Sequence, residues 1–121
     1  MALMKHKRTI MVAIGWLLVL AIVVLSLVPV SGMMPAVPSG DKYGHLLAYG
    51  VLMFWFGQLY NNSKHRWLYA FGFMLMGGVL EWLQGMTGFR QTELLDFLMN
   101  VLGVCLGLAA AYLIDLRRYF V

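Results

Sequence analysis

Charged residues are scarce in this sequence. Only 12% of the 121 residues are Asp, Glu, Lys or Arg, whereas 62% are hydrophobic, and the mean hydropathy is +0.80. That charged share is about half of what an ordinary soluble domain carries. A soluble domain this short buries only part of its surface and needs polar residues to cover the rest. The scarcity of charge therefore favours lipid as the solvent.

Cysteine occurs once, as Cys105 within an apolar run. A single cysteine forms neither an intrachain disulfide nor a CxxC site, and we expect Cys105 to be a small buried apolar residue. The sequence also lacks a serine-hydrolase motif, an H-E-x-x-H pair and a phosphate-binding glycine loop. These absences argue against a covalent serine or cysteine mechanism.

The basic residues give a net charge of +4 and a pI near 9.5. They lie in short clusters between apolar runs and form no basic stripe that would suit nucleic acid. Membrane topology accounts for the same clusters. We therefore predict no nucleic-acid partner.

Four apolar segments stand out, roughly Thr9–Val28, Tyr43–Tyr60, Trp67–Gln84 and Leu94–Ile114. Each has about 18 to 21 residues, enough at ~1.5 Å per residue to cross ~30 Å of hydrocarbon. Lipid offers no partner to open backbone groups, so each segment is predicted to be a helix. The first has a basic start like a signal peptide, but its apolar core is longer and no clear cleavage site follows. The prediction is a single all-α domain over residues 1–121, a bundle of four transmembrane helices. The first helix is expected to be retained and not cleaved as a signal peptide.

The basic residues also predict the orientation of the bundle. With the N-terminus inside, seven basic residues lie on the inner side and two, Lys42 and Arg90, on the outer side. An excess of Lys and Arg marks the cytoplasmic side. The sequence therefore predicts that both termini lie in the cytoplasm.

Four acidic residues lie at or near the outer helix ends in that orientation: Asp41, Glu81, Glu93 and Asp96. Acidic residues contribute little to topology, so their clustering needs another cause. A carboxylate inside an apolar segment is costly unless it is paired or reaches water. Glu81 could form a structural ion pair with Lys42 or Arg90, or it could belong to a functional site.

Helical spacing groups the polar residues of this outer face. His45 and Tyr49 are four residues apart and share one face, and Asp41 sits where a helix N-cap belongs. Glu81 and Gln84 are three apart and can both face the bundle. The last helix carries a single stripe of Asp96, Asn100, Gly103 and Gly107, whose GxxxG pattern predicts close helix contact. Asn100 could equally serve as an interhelical hydrogen-bonding residue.

We expect His45, Glu81, Arg90 and Asp96 to converge in one polar pocket, with Lys42 nearby. Three uses are open: acid–base work by His45 with a carboxylate, binding of a divalent metal by the same trio, or a hold on a phosphate or carboxylate head group by Lys42 and Arg90. The candidate catalytic residues are His45, Glu81 and Asp96. The candidate ligand-binding residues are Asp41, Lys42, Tyr49, Gln84, Arg90 and Asn100. No metal ligand is assigned, and the cofactor is left open.

This pattern resembles the VanZ-like family, small bacterial membrane proteins associated with resistance to the glycopeptide teicoplanin. The matching pieces are Asp41-Lys42-Tyr43-Gly44-His45 with Tyr49, then Glu81-Trp82-Leu83-Gln84, then Arg90, Asp96, Asn100 and Gly103. The resemblance spans residues 41–107. It departs from the family at Gly88, where a proline-glycine pair is expected before the arginine, and at Glu93. The resemblance implies a multi-pass protein of the bacterial inner membrane.

Three functions are compatible with this sequence. The pocket could engage a lipid-linked cell-wall precursor, a phospholipid head group or an amphiphilic antibiotic. It could belong to an enzyme that alters such a lipid by acid–base or metal-assisted chemistry. The chain could also be a structural subunit that binds a partner helix. The sequence names no ligand, protein partner or oligomeric state.

Overall fold

The chain folds into four α-helices in a computed structural model that describes residues 2–27, 40–87 and 94–116, with side chains at 6–27, 43–86 and 94–116. The helices are α1 (Ala2–Leu27), α2 (Gly40–Leu59), α3 (Ser63–Thr87) and α4 (Leu94–Leu113). The predictions of four helices and of an all-α fold are confirmed over these residues. Helices α1 and α3 begin earlier than the apolar segments, because their polar first turns are also helical.

The connection between α2 and α3 is short and well capped. The Asn62 side chain accepts a hydrogen bond from the backbone N–H of Lys64 at 2.8 Å, and the Asn62 carbonyl accepts one from the N–H of Arg66 at 3.0 Å. A side-chain oxygen at the N-cap satisfies a backbone donor that the helix itself leaves open. A link this short makes α2 and α3 antiparallel neighbours.

The order of the helices creates two ends with different chemistry. The end where α1 and α3 begin and α2 and α4 finish is here called the arginine end, after Arg8 and Arg66. The opposite end, where α1 and α3 finish and α2 and α4 begin, is called the carboxylate end, after Glu81 and Asp96. A hydrogen bond from the Gln84 side chain to the carbonyl of Ser26, at 2.9 Å, joins α3 to α1 at the carboxylate end.

Helices α2 and α4 make the closest contact in the bundle. A Cβ added at Gly103 would lie 2.5 Å from the carbonyl oxygen of Leu46, and one added at Gly107 would collide with the carbonyl oxygen of Gly50. Only residues without a side chain allow two helix backbones to approach this closely. The predicted packing through Gly103 and Gly107 is confirmed, and its partner is α2.

An aromatic cluster fills the core nearer the arginine end. Phe56 is fully buried, and its ring centroid lies 4.8 Å from that of Tyr69, 5.2 Å from that of Phe73 and 5.4 Å from that of Trp16. Edge-to-face and offset pairs at these distances add to the stabilisation from burial alone. The cluster joins α1, α2 and α3, whereas the glycine contact joins α2 and α4.

Buried polar side chains accompany the apolar core, and much of the outer surface of the bundle is apolar. Among the side chains that the structure describes, six polar or charged ones are buried: Gln58, Arg66, Glu81, Gln84, Asp96 and Asn100. Large apolar side chains lie exposed instead on every helix, as with Leu17 on α1, Leu47 on α2 and Leu75 on α3. Soluble monomers rarely expose apolar patches larger than a few hundred Å².

Cys105 is exposed on α4, so the expectation that it is buried is wrong. The buried stripe of α4 runs through Asn100, Gly103 and Gly107. At about 100° per residue, Cys105 lies about 200° from Gly103 and therefore on the outward face. An apolar run by itself does not reveal which of its residues face outward.

Two of the described helices contain stretches long and apolar enough to cross a membrane, His6–Leu27 in α1 and Leu94–Leu113 in α4. Within the protein, 6% of the α1 stretch is buried, compared with 39% of the α4 stretch. Stretches of this kind also occur in the cores of soluble proteins and in signal sequences. Crossing of a membrane by all four helices therefore stays a prediction.

Candidate functional site

Three titratable side chains from three helices meet at the carboxylate end. His45 lies in the second turn of α2, Glu81 near the end of α3 and Asp96 in the first turn of α4. One ligand atom from each lies within 4.8 Å of the other two. Glu81 and Asp96 are 4% and 6% exposed, and His45 is half-buried. These three residues are here called the His–carboxylate cluster.

The glycine contact between α2 and α4 positions two members of this cluster. Asp96 lies seven residues before Gly103 and shares its helix face. Gly103 packs against Leu46, the residue next to His45. Close approach of the two backbones therefore brings the beginnings of α2 and α4 together, and the antiparallel α3 supplies Glu81 from its last turns. The stripe predicted on α4 is buried as expected.

The cluster concentrates negative charge away from water. Two ionised carboxylates this close repel one another, and burial removes the water that would solvate them. A protonated His45 could offset one of the two charges. Each of the three residues also makes further interactions within the protein. The cluster is therefore suited to hold a proton or a cation, or to accept hydrogen bonds from a polar ligand.

Tyr49 and Gln84, two of the predicted ligand-binding residues, border the cluster. Tyr49 is buried one helical turn after His45 and lies close enough to Glu81 to interact with it electrostatically. Gln84 is also buried, and its side-chain N–H donates to the Ser26 carbonyl. That hydrogen bond shows a packing role for Gln84.

Asn100 lies one helical turn beyond Asp96 and is almost completely buried. A Cβ at Gly77 would approach the Asn100 side-chain nitrogen to 3.0 Å, so the absence of a side chain at Gly77 makes room for the amide. The Oδ1 atom of Asn100 accepts no hydrogen bond from the residues that the structure describes. A buried carbonyl oxygen without a donor costs about 1–3 kcal/mol, and a bound water or ligand would remove that cost.

Three predicted site residues cannot be placed beside this cluster. Arg90 and the side chains of Asp41 and Lys42 lie outside the described residues. Helix α2 begins at Gly40, so Asp41 falls in its first turn and not at the N-cap. The predicted ion pairs of Glu81 with Lys42 or Arg90 therefore stay predictions.

The arginine end contains interactions that the sequence did not predict. Arg66 is 7% exposed and donates from Nε and Nη2 to the Gly57 carbonyl, at 3.0 and 2.8 Å. Its guanidinium also lies 4.7 Å from the centre of the Tyr112 ring. Arg8 donates to the Leu59 carbonyl at 3.0 Å. Both arginines neutralise the carbonyl groups at the negative end of α2.

Gln58 closes the end of α4 in a similar way. It is fully buried, donates to the Ile114 carbonyl at 2.7 Å and accepts from the Leu116 N–H at 2.7 Å. In the sequence, the only indication of this contact is the amide side chain of Gln58 near the end of an apolar helix. Its hydrogen bonds reach residues more than fifty positions away, which local spacing does not predict.

An apolar groove runs along the outside of the α2–α4 contact. It has a volume of ≈ 550 Å³ and is lined from Tyr43, near the carboxylate end, to Trp55 and Ala110. Gly50 and Gly107 form part of its floor. The groove therefore begins two residues before His45 in the sequence and extends along the helices.

The fold and the site define an all-α protein with a half-buried histidine and two buried carboxylates at one end of its helices. No family model, curated protein or solved structure matches this chain. The VanZ-like resemblance therefore stays a prediction.

Proposed function

We propose that this chain is a VanZ-like, multi-pass protein of the bacterial inner membrane whose carboxylate end opens at the outer face and engages a cell-envelope ligand. That ligand is an envelope lipid, a lipid-linked cell-wall precursor or a glycopeptide such as teicoplanin. The convergence of His45, Glu81 and Asp96 within 4.8 Å carries this proposal. Buried titratable groups gathered at one end of a bundle are typical of binding and catalytic sites.

The apolar outer surface of the bundle supports insertion in a membrane. Helix α1 is strongly apolar, yet little of it is buried within the protein. It therefore does not resemble the core helix of a soluble protein. Exposed Leu17, Leu20 and Leu25 would face water in a soluble protein. Lipid removes that cost, because lipid tails solvate apolar side chains.

Helices α2 and α3 are less apolar on average than α1 and α4. This lower hydropathy is still compatible with a position in the membrane. Their strongly polar residues Gln58, Arg66, Glu81 and Gln84 are buried inside the bundle. The outward face of α3 carries Phe71, Leu75 and Val79, all exposed. An average over the whole helix counts the buried polar residues, whereas lipid would meet only the apolar face. The seven-to-two excess of basic residues supports placing the arginine end in the cytoplasm.

The cluster and the apolar groove together favour an amphiphilic ligand. Carboxylates and an imidazole accept hydrogen bonds from hydroxyl and ammonium groups, and these are common in sugar and lipid head groups. The groove beside α2 offers an apolar surface to the acyl chain of the same molecule. Lys42 and Arg90 would add contacts to a phosphate group, as predicted from the sequence.

The close approach of His45 to Glu81 and Asp96 also favours a second candidate, an enzyme that alters an outer-leaflet lipid. A histidine oriented by a carboxylate can act as a general acid or base. In that case His45→Gln should abolish turnover while ligand binding persists. A purely binding protein would show no turnover with any envelope lipid.

The binding function can be tested by native mass spectrometry of protein extracted gently from bacterial membranes. The wild type should retain a lipid or lipid-linked precursor, and Glu81→Gln and Asp96→Asn should lose it while remaining folded. Asp115→Asn provides the matched control, because Asp115 is the exposed carboxylate at the opposite end. Equal lipid retention in all four proteins would contradict the proposed site, and loss of folding in both cluster variants would indicate a structural role.

A further inference from the structure

We propose that His45, Glu81 and Asp96 form a binding site for a divalent transition metal, with zinc as the best fit. This inference rests on the proposed outer-face site and names the group through which that site holds a ligand. The ligand atoms are one imidazole nitrogen and two carboxylate oxygens, a set that zinc accepts readily. No other group of three such residues converges within the described part of the chain.

The geometry of the cluster fits zinc after small side-chain adjustments. Zinc binds nitrogen and carboxylate oxygen at about 2.0–2.2 Å, so ligand atoms in a tetrahedral site lie roughly 3.3 Å apart. The three atoms lie within 4.8 Å of one another. Torsional rotation of a histidine, a glutamate and an aspartate can close a gap of about 1.5 Å without moving the helices.

Charge favours a divalent cation at this place. Glu81 and Asp96 are both nearly buried, and two ionised carboxylates beside one another place negative charge in a poorly solvating environment. A divalent cation neutralises them while binding all three side chains directly. A neutral assembly has the smallest desolvation penalty inside a helical bundle in lipid.

Asn100 provides a second, independent observation. Its nearly buried Oδ1 atom receives no hydrogen bond from the described residues, and it lies one helical turn from Asp96 on the same face. A water molecule bound to the metal would be a donor for this oxygen. Polar groups around metal ligands commonly orient the ligands and the bound water in this way.

A metal on this cluster would link the site to its ligand. Three protein ligands leave one position of a tetrahedral zinc ion open to water or substrate. A phosphate oxygen of a head group is an anionic ligand that can occupy that position. The metal thereby converts an acidic cluster, which repels phosphate, into one that binds it.

The test measures zinc directly on the full chain, purified without a histidine tag, in lipid nanodiscs. After removal of metal and titration with zinc, elemental analysis should find about one zinc per chain in the wild type. Calorimetry on His45→Gln, Glu81→Gln and Asp96→Asn should show affinity lower by a factor of a hundred or more, since loss of an outer partner alone costs 10–100-fold. Zinc should also raise the melting temperature of the wild type but not of these variants.

Matched controls come from the other end of the bundle. His65→Gln and Asp115→Asn replace an exposed histidine and an exposed carboxylate, and they should bind zinc like the wild type. Absence of zinc binding in the folded wild type, or equal affinity in all variants, would overturn the metal site. Lipid retention is measured separately, so a protein that keeps its lipid but binds no zinc contradicts only this inference. A protein that binds zinc but retains no lipid contradicts only the proposed function.

Discussion

The two ends of the bundle bury charge in different ways. At the arginine end, Arg66 and Arg8 donate to the carbonyl groups that finish α2, so fixed backbone atoms within the protein neutralise much of their charge. At the carboxylate end, Glu81 and Asp96 gather around His45 and concentrate charge of one sign. The hydrogen bonds at the arginine end are typical of residues that stabilise a fold. The charge at the carboxylate end is suited to binding a cation or a polar ligand.

This difference predicts which substitutions change stability and which change binding. The contact between α2 and α4 serves both ends and should matter most. The arginine end should come next, because its hydrogen bonds close the helices. The carboxylate end should matter least for stability and most for ligand binding.

The largest expected effect comes from Gly103→Leu combined with Gly107→Leu. Both side chains would strike the backbone of α2. Overpacking one well-packed position costs about 1–3 kcal/mol, so the pair should lower the free energy of unfolding by about 2–6 kcal/mol. Denaturant titration in detergent, followed by circular dichroism, measures this.

Gly72→Leu is the matched control for that pair, because nothing lies within 4 Å of a Cβ at Gly72. It should leave stability unchanged or raise it by up to about 1 kcal/mol, since Leu favours helix more than Gly. An unchanged unfolding transition in the double variant would mean that the α2–α4 contact does not hold the bundle together.

Arg66→Met should have the next largest effect. It keeps the side-chain volume but removes the charged donors to the Gly57 and Tyr60 carbonyls. Hydrogen bonds to charged groups contribute about 1.5–3 kcal/mol, and we expect a loss of about 2–3 kcal/mol. The exposed Lys64→Met should change stability by less than about 0.5 kcal/mol. Similar losses of stability in the two variants would show that the hydrogen bonds of Arg66 do not stabilise the arginine end.

The smallest effect on stability is expected for Glu81→Gln combined with Asp96→Asn. Removing two buried charges relieves their mutual repulsion and lowers the desolvation penalty, which offsets the lost interactions. The free energy of unfolding without zinc should change by less than about 1 kcal/mol, measured by the same titration. A loss comparable to that of Arg66→Met would show that the carboxylates are structural and that the two ends stabilise the bundle alike.

Local spacing predicted much of the site but few of its surroundings. The stripe from Asp96 to Gly107 and the positions of His45 and Glu81 at one end of the bundle follow from helical periodicity and antiparallel order. These features are properties of single helices and short connections, so the sequence contains them directly.

The interactions of Arg66 and Gln58 could not be predicted in this way. Their partners lie on other helices or past a helix end, and only the packed structure decides which carbonyl each side chain reaches. In the sequence, Arg66 is one of the seven basic residues that are predicted to lie on the inner side, whereas in the structure it is a buried hydrogen-bond donor. The prediction for Cys105 is wrong for a related reason, because the side of α4 that faces outward depends on how α4 is rotated against α2.

Site-specific labelling tests most directly whether the two ends of the bundle lie on opposite sides of the membrane. In a Cys105→Ala background, Lys64→Cys and Met86→Cys introduce single exposed cysteines at the arginine end and the carboxylate end. A membrane-impermeant maleimide applied to intact spheroplasts should label position 86, and it should label position 64 only after the membrane is permeabilised. Labelling of position 64 from outside with protection of position 86, or equal labelling of both in intact spheroplasts, would contradict the proposed orientation and the outer-face site with it.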